Sequence, residues 1–337
     1  MIKGVIFDIG GVLAYDIQEY LFGVDNSTIV TRYHLDTEKV KDVTVRGVME
    51  ETTDKDQLDA SFPYSVFSRQ PFRYLGGKAE MAEMIVRLLP KHNCYVEPFF
   101  GSGAVLFAKL VSHVEVANDI NGSLVNFLLQ LRDNSKELIQ KLQLTPYSRE
   151  YFNDCLKYWK EGGPTNKLER AIVWYYLQTA GMSGNFGAGW SHATTDNKAT
   201  DFHHRVDGLK WLALRLRNVQ IENRDYKDVV KTYDSEETVF YVDPPYLLAS
   251  EALAKAYYGS VFTLENHKEL AHVLSGIKGK AVTSYYPNPL LDELYAGWER
   301  IEKDVPKRSS GHGADEKPRA TELLLFNFKP TMQLQLI

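Results

Sequence analysis

The sequence predicts an α/β protein built on a largely parallel sheet. Three observations predict it. Apolar strand-like runs alternate with helix-period stretches through residues 72–328. Residues 94–110 read as a strand, a glycine turn and a helix in direct succession. The apolar run 238–242 leads straight into Asp243-Pro244-Pro245-Tyr246, and the carboxyl edge of an open α/β sheet is where ligands bind.

Each element has a local reason. Residues 2–7 (I-K-G-V-I-F) predict a buried strand, with a turn at Gly10-Gly11. Val40, Val43 and Val48 give a rough helical stripe over 36–50, and the acidic, polar stretch 50–61 reads as a linker. An aromatic, glycine-rich turn at 72–78 precedes a helix at 79–89, with Met81, Met84, Ile85, Leu88 and Leu89 on one face. Cys94–Val96 is a short strand, Glu97–Gly103 (E-P-F-F-G-S-G) the turn, and Ala104–Leu110 the start of a helix. A second strand, Val114–Ala117, ends at Asn118-Asp119. Residues 123–180 predict helices, and 181–205, rich in glycine and polar residues, a loop or hairpin. A helix at 207–217, strands at 219–223 and 238–242, a helix at 264–277 and strands at 280–284 and 321–328 complete the pattern.

The chain has 337 residues, 44% hydrophobic and 25% charged, an ordinary globular balance. A net charge of −5 is unusual for a nucleic-acid binder, but the charge is unevenly spread. Residues 1–60 hold 12 acidic and 6 basic side chains, so the remaining 277 residues carry a net +1 and can present a local basic face. Cys94 and Cys155 match no zinc spacing and no disulfide framework, which predicts a metal-free protein of the reducing cytoplasm. The apolar N-terminal run is interrupted by Asp8 and no stretch reaches about 18 apolar residues, so neither a signal peptide nor a membrane span is expected.

The chemistry concentrates in a few places. Two successive prolines stiffen the turn at 243–246 and remove two N–H donors. What remains is a carboxylate, a carbonyl and a Tyr ring, a set suited to a planar group bearing an NH₂. The other reading of this tetrapeptide is a plain strand-ending turn. The E-P-F-F-G-S-G turn lets a ligand approach the backbone, yet it has only two glycines and no Lys-Ser/Thr ending, so it is neither a P-loop nor a full dinucleotide fingerprint. Asp119, about 20 residues later, is placed either to accept ribose hydroxyls or to cap a helix. Asp225, in N-R-D-Y, also follows a predicted strand.

These motifs, in this order, resemble the Dam-type DNA adenine-N6 methyltransferases over residues 68–330. They are F-R-Y-L-G-G-K at 72–78, E-P-F-F-G-S-G at 97–103, N-D-I-N at 118–121, N-R-D-Y at 223–226 and D-P-P-Y at 243–246. K-G-K-A-V-T-S-Y-Y at 278–286 and K-R-S-S at 307–310 complete the set. The resemblance implies a Rossmann-like S-adenosylmethionine methyltransferase sheet with a mostly helical target-recognition insert and a short N-terminal extension. It implies a catalytic domain over 61–122 and 219–337, the insert over 123–218 and the extension over 1–60. Tyr74, Lys78, Phe99, Gly101 and Gly103 would surround S-adenosylmethionine, together with their motif neighbours Gly76, Gly77, Glu97, Pro98, Phe100 and Ile120. Asp119 would hold the ribose, Asp225 the adenine amine of the cofactor, and Tyr226 would lie beside that ring. Asp243 and Pro244 would accept hydrogen bonds from the target amine, Asp243 also bordering the cofactor, with Pro245 stiffening the turn and Tyr246 stacking on the flipped base. Cytosine-N4 enzymes usually carry Ser where Asp243 stands, so adenine is favoured.

The substrate implied is double-stranded DNA, the enzyme a monomer, and a cognate restriction endonuclease a candidate partner. The insert departs from the Dam pattern, with G-M-S-G-N-F-G-A-G-W-S-H at 181–192 in place of an arginine- and asparagine-rich hairpin. Asn185 and Trp190 are its candidate DNA contacts, and Lys307 and Arg308 the candidate phosphate grip of a late basic hairpin. Two rival functions are a catalytically silent DNA-binding module and an RNA adenine methyltransferase. No H-x-E with P-C-x-x-C is present, which excludes zinc deamination of the flipped base. Finally, I-F-D-I-G-G-V-L at 6–13 resembles the first motif of haloacid dehalogenase-type hydrolases, with Asp8 at the nucleophile position. Gly10 replaces its acid/base residue, and about 60 residues are too few for that fold, so a truncated relic is expected.

Overall fold

The computed structural model describes residues 7–8, 12–13, 70–72, 74, 76–246, 262–306 and 319–331. The chain divides into two units, residues 1–66 with 335–337, and residues 67–334. In the first unit, β1 (Phe7–Asp8) pairs antiparallel with β2 (Val12–Leu13). The expected helix at 36–50 and linker at 50–61 lie outside the described residues.

The second unit opens with α1 (Ala82–Leu88), followed by β3 (Cys94–Glu97), α2 (Ala104–Ala108) and β4 (Val114–Asn118). Five consecutive helices come next: α3 (Gly122–Asp133), α4 (Ser135–Gln143), α5 (Arg149–Lys160), α6 (Lys167–Thr179) and α7 (Lys198–Leu216). The alternation then resumes with β5 (Val219–Glu222), α8 (Tyr226–Tyr233) and β6 (Thr238–Val242). After it come α9 (Leu264–Ser275), β7 (Lys280–Tyr285), α10 (Leu290–Leu294), β8 (Glu299–Pro306) and β9 (Arg319–Phe326).

Seven strands form one sheet in the order β5-β4-β3-β6-β7-β9-β8. The five from β5 to β7 are parallel, while β9 pairs antiparallel with both β7 and β8. The fold is therefore the expected Rossmann-like α/β sheet, closed at one side by an antiparallel hairpin. The central strands are buried on both faces, and their composition says why: β6 is T-V-F-Y-V, a β-branched and aromatic run with every residue buried. The strand order reverses between β3 and β6, and the crevice at their carboxyl ends is the predicted ligand position.

Two local expectations are corrected. The predicted loop 181–205 ends early, because α7 begins at Lys198 rather than near 207. Asn197 caps it, its side chain accepting the Ala199 and Thr200 N–H groups, and Phe202 and Val206 already face the core. The remainder of that segment holds a 3-10 turn at Met182–Gly184 and an antiparallel bridge between Gly181 and Trp190. Strand β8 was not expected at all. Its sequence, E-R-I-E-K-D-V-P, is mostly charged because it is the exposed edge of the sheet, where a hydrophobic run would invite pairing with another chain.

The helices α3 to α7 pack on one another through Phe127, Trp174, Tyr175, Tyr176 and Phe202, all buried. Tyr175 donates to the Pro71 carbonyl at 3.0 Å, joining this helical block to the glycine-rich turn near the sheet edge. At the amino end of β4, Arg215 of α7 reaches the buried Glu115 carboxylate, with its Nη2 2.8 Å from Oε1. Lys109 lies 2.5 Å from the same oxygen and over the Tyr95 ring. Burial lowers the Lys109 amine to about 8 against the pull of Glu115.

Candidate active site

Four loops leave the carboxyl ends of β3, β4, β5 and β6 on the same edge because those strands run parallel. With the 74–78 turn they line one cleft of about 310 Å³, a size suited to a small organic ligand. The cleft brings together Tyr74, Gly76, Gly77, Lys78, Glu97, Pro98, Phe99, Phe100, Gly101, Asp119, Ile120, Asp225, Tyr226, Asp243, Pro244, Pro245 and Tyr246. Motifs as far apart in sequence as those of Tyr74 and Tyr246 thus line one cleft.

Gly103 is not among the lining residues. It stands at the amino end of α2 in the left-handed region, φ 65°, and an added Cβ would lie 2.2 Å from the Phe100 ring. Its need for glycine is a packing need. Gly101, φ 52°, does border the cleft, and a Cβ there would sit 3.3 Å from the Tyr74 ring.

At the β4 end, Asp119 accepts the Gly101 N–H and the Asn121 N–H, each at 2.9 Å. Burial nevertheless raises its carboxyl above the usual range, the two backbone donors opposing the shift. Asn118, fully buried, stitches three loops: its amide donates to the Pro98 and Arg224 carbonyls, and its carbonyl accepts the Arg224 N–H. Asp225 caps α8 by accepting the Lys227 N–H at 2.9 Å. The Phe99 and Tyr226 rings lie 5.1 Å apart at 31°, and Phe262 stands edge-on to Phe99 at 5.8 Å, forming an aromatic slot.

At the β6 end, Asp243 accepts the Ser284 hydroxyl at 2.8 Å and pairs with Lys78 at 3.1 Å. The buried Lys78 ammonium also donates to the Gly76 carbonyl and lies 4.7 Å from the Tyr246 ring centre, covering one face of that ring. Tyr246 donates to Glu322 at 2.9 Å, and Lys78 stands 4.0 Å from the same carboxylate. Burial raises the Glu322 carboxyl, helped by Asp243 and opposed by Lys78. Glu97 is wholly buried beside the Tyr95 hydroxyl, 2.7 Å away, and desolvation pushes its carboxyl to about 8.

The sequence reading missed Asn118, Phe262, Ser284 and Glu322 as site residues. Glu322 had a signal, since it is the one acid within an otherwise apolar A-T-E-L-L-L-F run. Ser284 lay within the K-G-K-A-V-T-S-Y-Y motif at 278–286 without a role there, and Phe262 had no signal, because only tertiary packing brings it to the cleft. Asn185 and Trp190 lie apart from it, in the helical block, where the Arg149 guanidinium stacks 4.7 Å from the Trp190 ring and Tyr147 adjoins it. Lys307 and Arg308 fall outside the described residues. The strand ends that flank them, Pro306 and Arg319, lie on the same sheet edge as the cleft, because β9 starts where β7 finishes. Among the described residues there is no cluster of His, Cys, Asp and Glu able to hold a metal ion, and no helix long and apolar enough to cross a membrane.

Comparison with known proteins gives concordant matches. The chain is 27% identical over 279 residues to the type II methyltransferase M1.LlaDCHI of Lactococcus lactis subsp. cremoris, covering 77% of this chain and 95% of that protein. It is 28% identical to the DNA adenine methylase of Escherichia coli K12, covering 78% and 96%, and 25% identical to that of Haemophilus influenzae, covering 76% and 92%. The family model for D12 class N6 adenine-specific DNA methyltransferases matches residues 74–308. The cleft edge of the sheet falls within that match, and the chain belongs to the D12 class of N6 adenine-specific DNA methyltransferases.

Proposed function

We propose that this enzyme transfers the methyl group of S-adenosylmethionine to N6 of an adenine turned out of double-stranded DNA. The observation that carries the reading is a single cleft that joins a nucleoside-like site, made by Asp119 and the Phe99–Tyr226 pair, to the acceptors of Asp243-Pro244. A glycine backbone at 101, a half-buried carboxylate and an aromatic slot suit a nucleoside, and Asp225 borders the same wall. When bound, the cofactor supplies an electrophilic methyl on a sulfonium sulfur.

The chain's own groups do the rest. The amine of adenine is a weak nucleophile because its lone pair is delocalised into the ring. The Asp243 carboxylate and the Pro244 carbonyl accept its two N–H groups and turn the lone pair out of conjugation, towards the methyl. Pro244 and Pro245 fix that geometry before substrate arrives. Tyr246 gives an aromatic wall for the base, offsetting the few kcal/mol that unstacking costs. Neither a covalent enzyme intermediate nor a metal is needed for a direct in-line transfer.

We assign target reading to the helical insert over 123–218, with Asn185 and Trp190 on its 181–192 loop, and phosphate contact to Lys307 and Arg308. The extension over 1–60 is dispensable in this reading. The two buried free cysteines, Cys94 and Cys155, accord with a cytoplasmic setting.

The test is transfer of tritium from labelled S-adenosylmethionine to duplex DNA from a methylation-free host, followed by single-molecule sequencing of the product. N6-methyladenine in one sequence context is expected from the native chain and none from Asp243→Ala, which should keep its cofactor affinity. Turnover by Asp243→Ala, or transfer to RNA in preference to DNA, overturns the assignment.

A further inference from the structure

We propose that Glu322 is a positioning residue for the transfer: it tethers the Tyr246 hydroxyl and so fixes the aromatic wall against which the target base is held. The inference rests on the function proposed above, because it takes Tyr246 as that wall.

Glu322 lies on the antiparallel strand β9, outside every motif recognised in the sequence, and is buried. A carboxylate buried in a strand of Leu and Phe loses its hydration, so its position demands a compensating partner. Two groups supply it. The Tyr246 hydroxyl donates to Oε2 at 2.9 Å, and the Lys78 ammonium stands 4.0 Å away. The stronger contact is the one to Tyr246, since 4.0 Å is beyond a hydrogen bond. Lys78 is held more closely by Asp243, at 3.1 Å.

The arrangement has a mechanical consequence. Pro245 restrains the backbone just before Tyr246, but the ring can still turn about its two side-chain torsions. Tyr285 and Tyr286 touch the ring at centroid distances of 5.6 and 4.7 Å and limit one side. The hydrogen bond at the far end of the ring removes the remaining swing. A flipped base meets a wall already in place, so less ordering remains to be done in the transition state. The register shows how the strand delivers the carboxylate: Tyr285 pairs with Leu323, which sets Glu322 at the carboxyl end of β7, level with the cleft.

The same side chain could serve only to hold Lys78 in place, and a double-substitution cycle separates the two roles. In steady-state transfer from tritiated S-adenosylmethionine to plasmid DNA from a methylation-free host, Tyr246→Phe and Glu322→Ala should each lower kcat about tenfold, the usual effect of one lost hydrogen bond to a charged group. The double variant should be no slower than either single one, because the same bond is lost in each. Glu322→Gln keeps an acceptor and should stay within about threefold of the native kcat. Cofactor affinity by calorimetry should be unchanged throughout.

Multiplying effects in the double variant, or a native kcat for Tyr246→Phe, would overturn the proposal. A Glu322→Gln chain that folds but is as slow as Glu322→Ala overturns it too and leaves the ion pair with Lys78 as the role. Should Glu322→Ala fail to fold, Tyr246→Phe and Glu322→Gln still decide. Failure of the underlying reading looks different: the native chain would transfer no methyl, or Asp243→Ala would retain transfer.

Discussion

Asn118 and Arg224 are joined by a reciprocal pair of hydrogen bonds: the Asn118 carbonyl accepts the Arg224 N–H at 2.9 Å, and its amide donates back to the Arg224 carbonyl at 3.0 Å. A side chain here imitates one rung of a strand ladder and extends the β4–β5 pairing beyond its last backbone partners, Asn118 and Glu222. The same amide also holds the Pro98 carbonyl at 2.9 Å, so three cleft-forming loops depend on one residue.

Asn118→Ala should therefore cost about 1–3 kcal/mol of stability, because it leaves the buried Pro98 carbonyl and the partly buried Arg224 backbone groups without their partner. Cofactor affinity should fall with it, since Pro98 and Arg224 both line the cleft. Asn118→Asp should be no better, because a carboxylate cannot donate to the two carbonyls. Urea unfolding and a calorimetric titration with S-adenosylmethionine check both; unchanged affinity in Asn118→Ala would mean the loops are set by other contacts.

Two buried groups should make stability depend on pH, with opposite signs. Unfolded Glu97 releases its proton near 4.5, whereas the folded chain holds it to about 8. Folded protein carries the extra proton in that window, so stability drops as pH rises through it. Glu97→Gln should remove the fall that this group causes between about pH 4.5 and 8. His267 behaves oppositely. It is fully buried against Phe262 and Tyr285, and burial lowers it from 6.5 to about 4. The unfolded chain binds a proton there first, so stability present above 6.5 is lost as pH falls to about 4, by up to ~3 kcal/mol. His267→Gln should flatten the acid slope. Thermal melting of the three proteins from pH 4 to 9 reads both effects, and parallel curves would refute them.

Arg215→Met should destabilise the protein by about 1.5–3 kcal/mol, since the buried Glu115 carboxylate loses its charge-assisted bonds to Arg215 but keeps Lys109 and the Ser112 N–H. Replacing both, Arg215→Met with Glu115→Gln, should cost more than the single change, because the buried Lys109 ammonium is then left without its carboxylate. The two midpoints in guanidinium settle the order. A double variant no less stable than the single one would show that Lys109 does not depend on the Glu115 carboxylate.

Pro306, the residue before Lys307 and Arg308 in sequence, ends a strand on the cleft edge of the sheet, and the reading proposed above gives that basic pair to phosphate contact. Replacing both with Ala should weaken binding to all DNA sequences alike and flatten the slope of log K against log salt by about 0.9 per lost contact. Fluorescence anisotropy at several salt concentrations measures it. An unchanged slope would remove both residues from the interface.

Some of this was written in local sequence. The β6 run T-V-F-Y-V, the glycine turn after β3 and the Asp243-Pro244-Pro245-Tyr246 turn each declare themselves within a few residues, because strand burial, positive φ and proline stiffness are short-range properties. Motif order then sufficed for the family, and the parallel alternation for the placement of the cleft at the carboxyl edge. What local sequence could not show depends on distant chain segments meeting. Strand β8 is too charged to resemble a strand until β9 supplies its partner, and α7 begins earlier than its apolar stripe suggests because Asn197 caps it. Neither Ser284 nor Glu322 shows a role in local sequence, yet the β6–β7 pairing brings Ser284 to Asp243 and the β7–β9 pairing brings Glu322 to Tyr246. Burial decides the protonation of Glu97 and His267, and burial is a property of the packed core rather than of neighbours along the chain.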